Sequence, residues 1–264
     1  HRKITVIDGK IAYTGGFNLA DEYINEVELY GHWKDAGLRL TGSCVWNFTT
    51  MFLEMWDYIT KEKEDCFLFK PSFKESVTEG KEHGFVQPYG DSPMDNENVG
   101  ENVYLNLISH AKKAITIFTP YLIIGSEMST ALINAVKTGV DVKIVVPGIP
   151  DKKLVYMLTK ANFLHLLKGG VKIYTYTPGF LHSKCFLVDD AYAVVGTINL
   201  DYRSLYLHFE CGTVLYHTPS VLELKQDMLE TLEVCKEVEL NEIVEKRVYV
   251  RMFYGVLKLL SPLF

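Results

Sequence analysis

His1-Arg2-Lys3-Ile4-Thr5-Val6-Ile7-Asp8 and, 181 residues further on, His182-Ser183-Lys184-Cys185-Phe186-Leu187-Val188-Asp189 are the stretches that decide how this chain is built. In each, a histidine is followed two places later by lysine and then, after a β-type run, by aspartate. The match continues beyond the quoted residues, because Gly15 and Asn18 recur as Gly196 and Asn199 at the same offset. A second echo follows at an offset of 175: Asp35-Ala36-Gly37 with Leu40 answers Glu210-Cys211-Gly212 with Leu215. The first copy therefore carries a six-residue insertion between its asparagine and its acid. Agreement at so many positions reads as an internal duplication.

Working outward from the second copy, the pattern is α/β. Helical apolar spacing over 98–114 (Val99, Val103, Leu105, Leu107, Ile108) leads into a β-branched run at 115–119, closed by Pro120. A helix through 132–137 ends at Gly139, which supplies a left-handed cap, and the strand 142–146 follows. The spacing then predicts a helix over 153–167, a strand over 171–175, a hairpin of 186–188 with 193–195, a strand over 211–216 and a helix over 221–234. Strands alternating with helices of this length imply a sheet covered on both faces. The first copy repeats the hairpin (4–6, 11–14), the strand (38–40) and the helix (43–58), but has no counterpart of residues 98–181. The expected architecture is thus α/β, with two similar lobes, each a mixed sheet flanked by helices, the first truncated at its N-terminus. The expected division is 1–88 and 89–264, with a linker over 61–97 where charges, Pro71, Pro88, Gly90 and Pro93 replace periodicity.

Composition narrows the function. With 264 residues, 48 % of them hydrophobic, the chain can bury a substantial core. A formal charge of −6 disfavours the phosphate backbone of nucleic acid, so no nucleic-acid partner is expected. The five cysteines are scattered and never spaced as CxxC, which suggests neither disulfides nor a zinc site. No run of about 18 apolar residues is present to span a membrane. Because the first residue is histidine, any upstream targeting segment is expected to lie outside this sequence.

The repeated residues suit a tetrahedral anion. Alternate side chains of an extended strand share a face, so His1 projects with Lys3 and His182 with Lys184. Two lysines can neutralise the nonbridging oxygens of a phosphodiester while Asn18 and Asn199 hydrogen-bond them. One histidine can attack phosphorus and the other can protonate the departing alkoxide. Each copy holds half of this chemistry. A carboxylate on one ring nitrogen would fix tautomer and basicity, and Asp35 and Glu210 are the candidates. Asp8 and Asp189 fall at hairpin tips, where aspartate also favours the turn, and are read as shaping the motif's loop. No metal or other cofactor is called for.

These residues carry a resemblance. The doubled HxKxxxxD motif with its glycines and asparagine resembles the signature of the phospholipase D superfamily, which would make His1, Lys3, Asp8, His182, Lys184 and Asp189 its catalytic set. More narrowly, Gly15-Gly16-Phe17-Asn18-Leu19-Ala20-Asp21-Glu22-Tyr23, Trp33-Lys34-Asp35, Thr119-Pro120-Tyr121, Pro147-Gly148 with Pro150-Asp151, Gly179-Phe180-Leu181-His182 and Asn199-Leu200-Asp201-Tyr202-Arg203-Ser204 are similar to bacterial cardiolipin synthases. The resemblance implies metal-free transfer of a phosphatidyl group between two phosphatidylglycerol molecules through a phosphohistidine, releasing glycerol. It further implies His1 as nucleophile with His182 as acid and then base, although near-equivalent copies allow the reverse. Phosphatidylglycerol and anionic membrane lipid are the implied partners, at the cytoplasmic face of the cell membrane, with anchoring helices upstream of this chain. The alternative is a superfamily phosphodiesterase that uses water as acceptor.

His32, His83, His110, His165, His208 and His217 lack partners at ligand spacing and read as surface or packed histidines. Trp46, Phe52, Leu53 and Trp56 fall at helical spacing and read as core. Over 243–264, Lys246, Arg247, Arg251 and Lys258 sit among apolar residues with Glu245 as the one acid. That segment reads either as an amphipathic helix on anionic lipid or as a helix docked on the second lobe.

Overall fold

The structure, a computed structural model, describes residues 1–71, 84–244, 255 and 257. In the first half, β1 (Ile4–Ile7) and β2 (Ile11–Gly15) make a hairpin, followed by the short β3 (His32–Lys34), β4 (Gly37–Thr41) and α1 (Val45–Thr60). The second half runs β5 (Phe85–Asp91), α2 (Val99–His110), β6 (Ala114–Phe118), α3 (Ser126–Lys137), β7 (Asp141–Pro147) and α4 (Lys153–Lys168). It continues through β8 (Lys172–Tyr176), β9 (Gly179–Leu181), β10 (Cys185–Val188) and β11 (Tyr192–Gly196). Then come β12 (Glu210–Tyr216), α5 (Pro219–Glu233), β13 (Cys235–Glu237) and α6 (Leu240–Val244).

The duplication carries into the backbone residue for residue. The β1–β2 register, Ile4↔Thr14 to Ile7↔Ile11, is repeated in β10–β11 as Cys185↔Val195 to Val188↔Tyr192. Both hairpins turn through two residues of positive φ, Asp8 (52°) with Gly9 (64°) and Asp189 (54°) with Asp190 (59°). That geometry matches the right-handed twist of the flanking strands, and aspartate and glycine tolerate it best. β4 then pairs with β2 as β12 pairs with β11, with Gly15↔Gly37 answering Gly196↔Gly212.

Eight strands form the large sheet, in the order β13-β8-β7-β6-β10-β11-β12-β5. β6, β7 and β8 are mutually parallel, connected through α3 and α4, and the remaining pairings are antiparallel. One face buries Ile115, Ile117, Ile144, Phe186 and Val194 against Tyr104 of α2, Met128 and Leu132 of α3 and Phe163 of α4. The other buries Cys185, Leu187, Ala193 and Val195 against Val221 and Met228 of α5. Adjacent residues of β10 thus serve opposite faces, as period-two alternation requires. The three-stranded sheet β1-β2-β4 packs Ala12 and Leu40 on Val45, Phe48 and Met51 of α1, and Cys211 of β12 joins that core.

Two expectations need correction. β5 lies inside the segment read as linker and pairs with β12 along its whole length, so the division at 88 cuts through a strand of the large sheet. Pro88 and Gly90 misled because β5 is an edge strand, where proline's missing N–H does not interrupt a ladder. Residues 72–83 of that segment, His83 among them, lie outside the described residues. Phe52 and Trp56 are 52 % and 47 % exposed and stack on each other, because the core face of α1 runs through Val45, Phe48, Met51 and Leu53. Most of the segment 243–264 lies outside the described residues as well, but Leu257 is buried against Ile123 and Leu158.

Candidate active site

The two halves are joined where β3 runs parallel to β9, in the register His32↔Gly179, Trp33↔Phe180, Lys34↔Leu181. Asp35 follows β3 and His182 follows β9, so this pairing delivers an acid of the first half to the histidine of the second. His182 N–H donates to the Lys34 carbonyl (2.7 Å), and its Nδ1 to Asp35 Oδ2 (2.7 Å). The arrangement is mirrored. The main-chain nitrogen of His1 donates to the Phe209 carbonyl (2.7 Å), and its Nδ1 to both Glu210 oxygens (2.9 and 3.0 Å). Each candidate acid therefore serves the histidine of the opposite copy. Because a carboxylate only accepts, Nδ1 carries the proton in both rings and Nε2 is the nitrogen left for chemistry.

The two acids are seated differently. A Cβ on Gly16 would stand 2.2 Å from Asp35 Oδ1, so only glycine leaves room for that carboxylate. At the matching place Thr197 donates its hydroxyl to Glu210 Oε2 (2.5 Å), and glutamate's extra methylene accommodates the larger neighbour. Arg2 clamps the first copy by donating to the carbonyls of Glu210, Met51 and Asp91, whereas its counterpart Ser183 donates to the Lys34 carbonyl.

Electrostatics follow from burial. His182 has its pKa lowered to about 4, first by burial and then by the Lys184 ammonium, against the opposing pull of Asp35. Burial would raise the Asp35 carboxyl, but the His182 hydrogen bond and Lys184 outweigh it and hold its pKa low. The pair rests as neutral imidazole donating to carboxylate. Burial brings Lys184 down to about 7, with Asp35 opposing, and Lys3 is lowered by burial in the same direction. Glu210 is raised by burial, in spite of the Thr197 hydrogen bond.

His1 and His182 line one cavity of about 500 Å³, together with Asn18, Asn199, Tyr23, Trp33, Tyr121, Asp151, Lys152, Arg203 and His208. Neither lysine lines it. Lys3 and Lys184 stand behind their histidines and donate to the His1 and His182 carbonyls. Asn18 donates to the Tyr23 hydroxyl and Asn199 to Asp201 (3.3 Å), with Asn199 Oδ1 buried and unpartnered. Asp8 and Asp189 are away from the cavity. Asp189 accepts from the backbone N–H groups of Lys112, Lys113 and Ala114 (2.6, 2.7 and 2.9 Å), a tie between the hairpin tip and the start of β6. Sequence reasoning missed His208 and Trp33, which occupy matching places two residues before Glu210 and Asp35. Trp33 packs on His182 (5.3 Å between ring centroids) and His208 on His1 (5.6 Å). Among the described residues, His1, His208 and Glu210 form the group with the donors to hold a metal ion.

Two histidine motifs, each oriented by an acid from the other half, thus face one cavity. Residues 104–232 match the family model described as cardiolipin synthase, PLD-like domain. Over its full length the chain is 50 % identical to an uncharacterised protein of Streptococcus mutans, of which it covers 56 %. It is 38 % identical to the cardiolipin synthase of Halalkalibacterium halodurans and 37 % to cardiolipin synthase 2 of Bacillus anthracis, covering 52 % and 51 % of those proteins. The chain is thus similar to the phospholipase D-like cardiolipin synthases, and it spans about half the length of the curated relatives it matches. Its fold is shared with the phosphatidylserine synthase of Haemophilus influenzae, with a TM-score of 0.73 over 100 % of this chain and 71 % of that one at 16 % identity. The phospholipase D family member Nuc of Salmonella typhimurium matches with a TM-score of 0.50 over 59 % of this chain and 99 % of that one at 20 % identity.

Proposed function

We propose that this chain forms the reaction centre of a cardiolipin synthase, transferring a phosphatidyl group between two phosphatidylglycerol molecules through a phosphohistidine and releasing glycerol. The observation that carries this reading is the crossed pairing of His1 with Glu210 and His182 with Asp35 around one cavity. Attack and proton transfer must occur on opposite sides of one phosphorus, and the crossing holds both imidazoles with Nε2 free. Asn18 and Asn199 supply amides to the phosphoryl oxygens. Lys3 and Lys184 act from behind the histidines, and an entering anion favours their charged forms. Asp8 and Asp189 shape the hairpins. The enzyme acts on anionic lipid at the cytoplasmic face of the cell membrane, held there by helices upstream of His1; among the described residues no helix is long and apolar enough to cross a membrane.

The family order gives attack to His1 and proton donation to His182. One observation favours the reverse: burial and Lys184 keep His182 neutral, the form a nucleophile needs. Supplying the full-length protein with phosphatidylglycerol tests the overall reading. Cardiolipin and glycerol are the expected products, and phosphatidic acid without cardiolipin would assign the enzyme to hydrolysis instead.

A further inference from the structure

His208 has no task in the phosphoryl transfer described above, and its surroundings are unusual for an idle histidine. Its Nδ1 is buried without a hydrogen-bond partner and lies 3.5 Å from Glu210 Oε1, while its ring is 5.6 Å from that of His1. One ligand atom from each of His1, His208 and Glu210 falls within 4.8 Å of the others. Glu210 is fully buried, so its carboxylate cannot swing to solvent, whereas His1 and His208 remain partly open to the cavity.

Two imidazoles and one carboxylate are the donor set of many three-ligand zinc sites, which leave the fourth position to water or substrate. Imidazole nitrogen also selects zinc and its transition-metal neighbours over magnesium or calcium, which take oxygen ligands. The other half of the site offers no equivalent, because the place of His208 is taken there by Trp33. We propose that His1, His208 and Glu210 bind a divalent transition metal ion, Zn²⁺ fitting best, and that this ion inhibits the enzyme by sequestering His1. The ion enters where the His1 Nδ1 proton now bridges to Glu210, and by exchange with water the ring takes its proton on Nε2 instead. Glu210 keeps one oxygen for the Thr197 hydroxyl and gives the other to the metal. His1 is then fixed as a ligand with Nε2 protonated, so it has no lone pair left to attack phosphorus or to accept a proton. Metal binding stands on geometry alone, while the inhibition rests on the role given to His1 above.

The test separates the two. Full-length protein in a phosphate-free buffer is assayed for glycerol release across a Zn²⁺ titration, with Mg²⁺ as control and a chelator added at the end. Inhibition by Zn²⁺ alone, reversed by the chelator, is expected. In His208→Asn the Zn²⁺ concentration for half-inhibition should rise about tenfold or more, as losing a ligand weakens affinity at least as much as losing its supporting shell. In parallel, Co²⁺ replaces Zn²⁺ as a spectroscopic probe, with folding of each variant checked by circular dichroism. Visible d–d bands of a low-coordinate Co²⁺ site are expected in the parent and in Asp35→Asn, and are expected to vanish in His208→Asn. Equal bands in parent and His208→Asn would overturn the metal site whatever the enzyme's reaction proves to be. Bands lost as expected, but with no effect of Zn²⁺ on turnover, would overturn the inhibition and leave the site standing. Should His208→Asn not fold, His208→Gln takes its place in both readouts.

Discussion

The half of the site around His1 and the half around His182 share the register of their hairpins and of the strand that follows, and differ in what surrounds the ring. His182 is caged by Trp33, Tyr23 and Phe180 at centroid distances of 5.3 to 5.8 Å, its side chain 9 % exposed, and it relies on a short acid seated against a bare glycine. His1 is 29 % exposed beside His208 and relies on a longer acid that also serves Thr197. The repeated groups thus sit in unequal surroundings. A dry aromatic cage and the Lys184 charge keep His182 neutral, while His1 stands in a wetter, polar setting.

The sharpest break of this comparison is to remove each histidine in turn. If the proposed transfer holds, His1→Ala and His182→Ala should each lower turnover of phosphatidylglycerol by about a thousandfold or more, since on that reading one loses the nucleophile and the other the proton carrier. A nitrophenyl phosphodiester, whose leaving group departs without protonation, distinguishes them. The variant that lacks the acid should still form an adduct and then stall, and acid-quench mass spectrometry should find phosphate on the surviving histidine. Phosphate on His1 in His182→Ala supports the family order; phosphate on His182 in His1→Ala supports the order favoured by the buried ring. No adduct in either variant would point to direct displacement.

The crossing itself comes next. Asp35→Asn should lower turnover by about 10²- to 10⁴-fold by allowing the wrong tautomer of His182, and Glu210→Gln should act likewise through His1. Each amide variant should therefore reproduce the adduct pattern of the histidine in the opposite copy. A pattern matching the histidine of its own copy would contradict the crossed geometry. Smaller effects are expected where the acids are seated. Gly16→Ala drives a methyl group into Asp35 and should cost about 1–3 kcal/mol of stability together with much of the activity. Thr197→Ala removes one donor from Glu210 and should cost about 1 kcal/mol, measured by denaturant unfolding.

Much of this was legible in the sequence, for reasons that particular residues make plain. The hairpins were readable because Ile4 to Ile7 and Cys185 to Val188 are β-type runs that end in aspartate at the turn, and α3 because Gly139 (φ 96°) marks its end. Asp35 and Glu210 could be found by their shared spacing to the motifs, but the crossing could not, since it depends on the pairing of β3 with β9. Those strands have three residues each, too short for any alternation to show. His208 escaped for a related reason. A ligand pattern shows in sequence only at short spacing, whereas His208 meets a histidine that lies 207 residues away. Phe52 and Trp56 were misread because helical spacing gives a stripe of apolar residues without saying which part of it a narrow sheet will cover.

The smallest contrast sets Asp189 against Asp8. Asp189 accepts three backbone N–H groups, and its carboxyl pKa is lowered, since these hydrogen bonds and the nearby Lys113 charge outweigh the opposing effect of burial. Among the described residues the Asp8 side chain has no hydrogen-bond or ion-pair partner, although its backbone turn is the same. Asp189→Asn should therefore destabilise the 264-residue chain by about 1–2 kcal/mol at neutral pH, while Asp8→Asn should stay within about 0.5 kcal/mol. The pH dependence gives an independent check. A carboxyl whose folded pKa lies below its unfolded value adds stability that is fully present above the unfolded value and is lost as pH falls through the folded one. The difference in unfolding free energy between the parent and Asp189→Asn should consequently be constant near neutrality and shrink below about pH 4, the ordinary aspartate value. A difference that persists unchanged into acid would mean that Asp189 acts through shape rather than charge, and equal losses from Asp8→Asn and Asp189→Asn would mean that the turn, not the tie to β6, holds the motif in place.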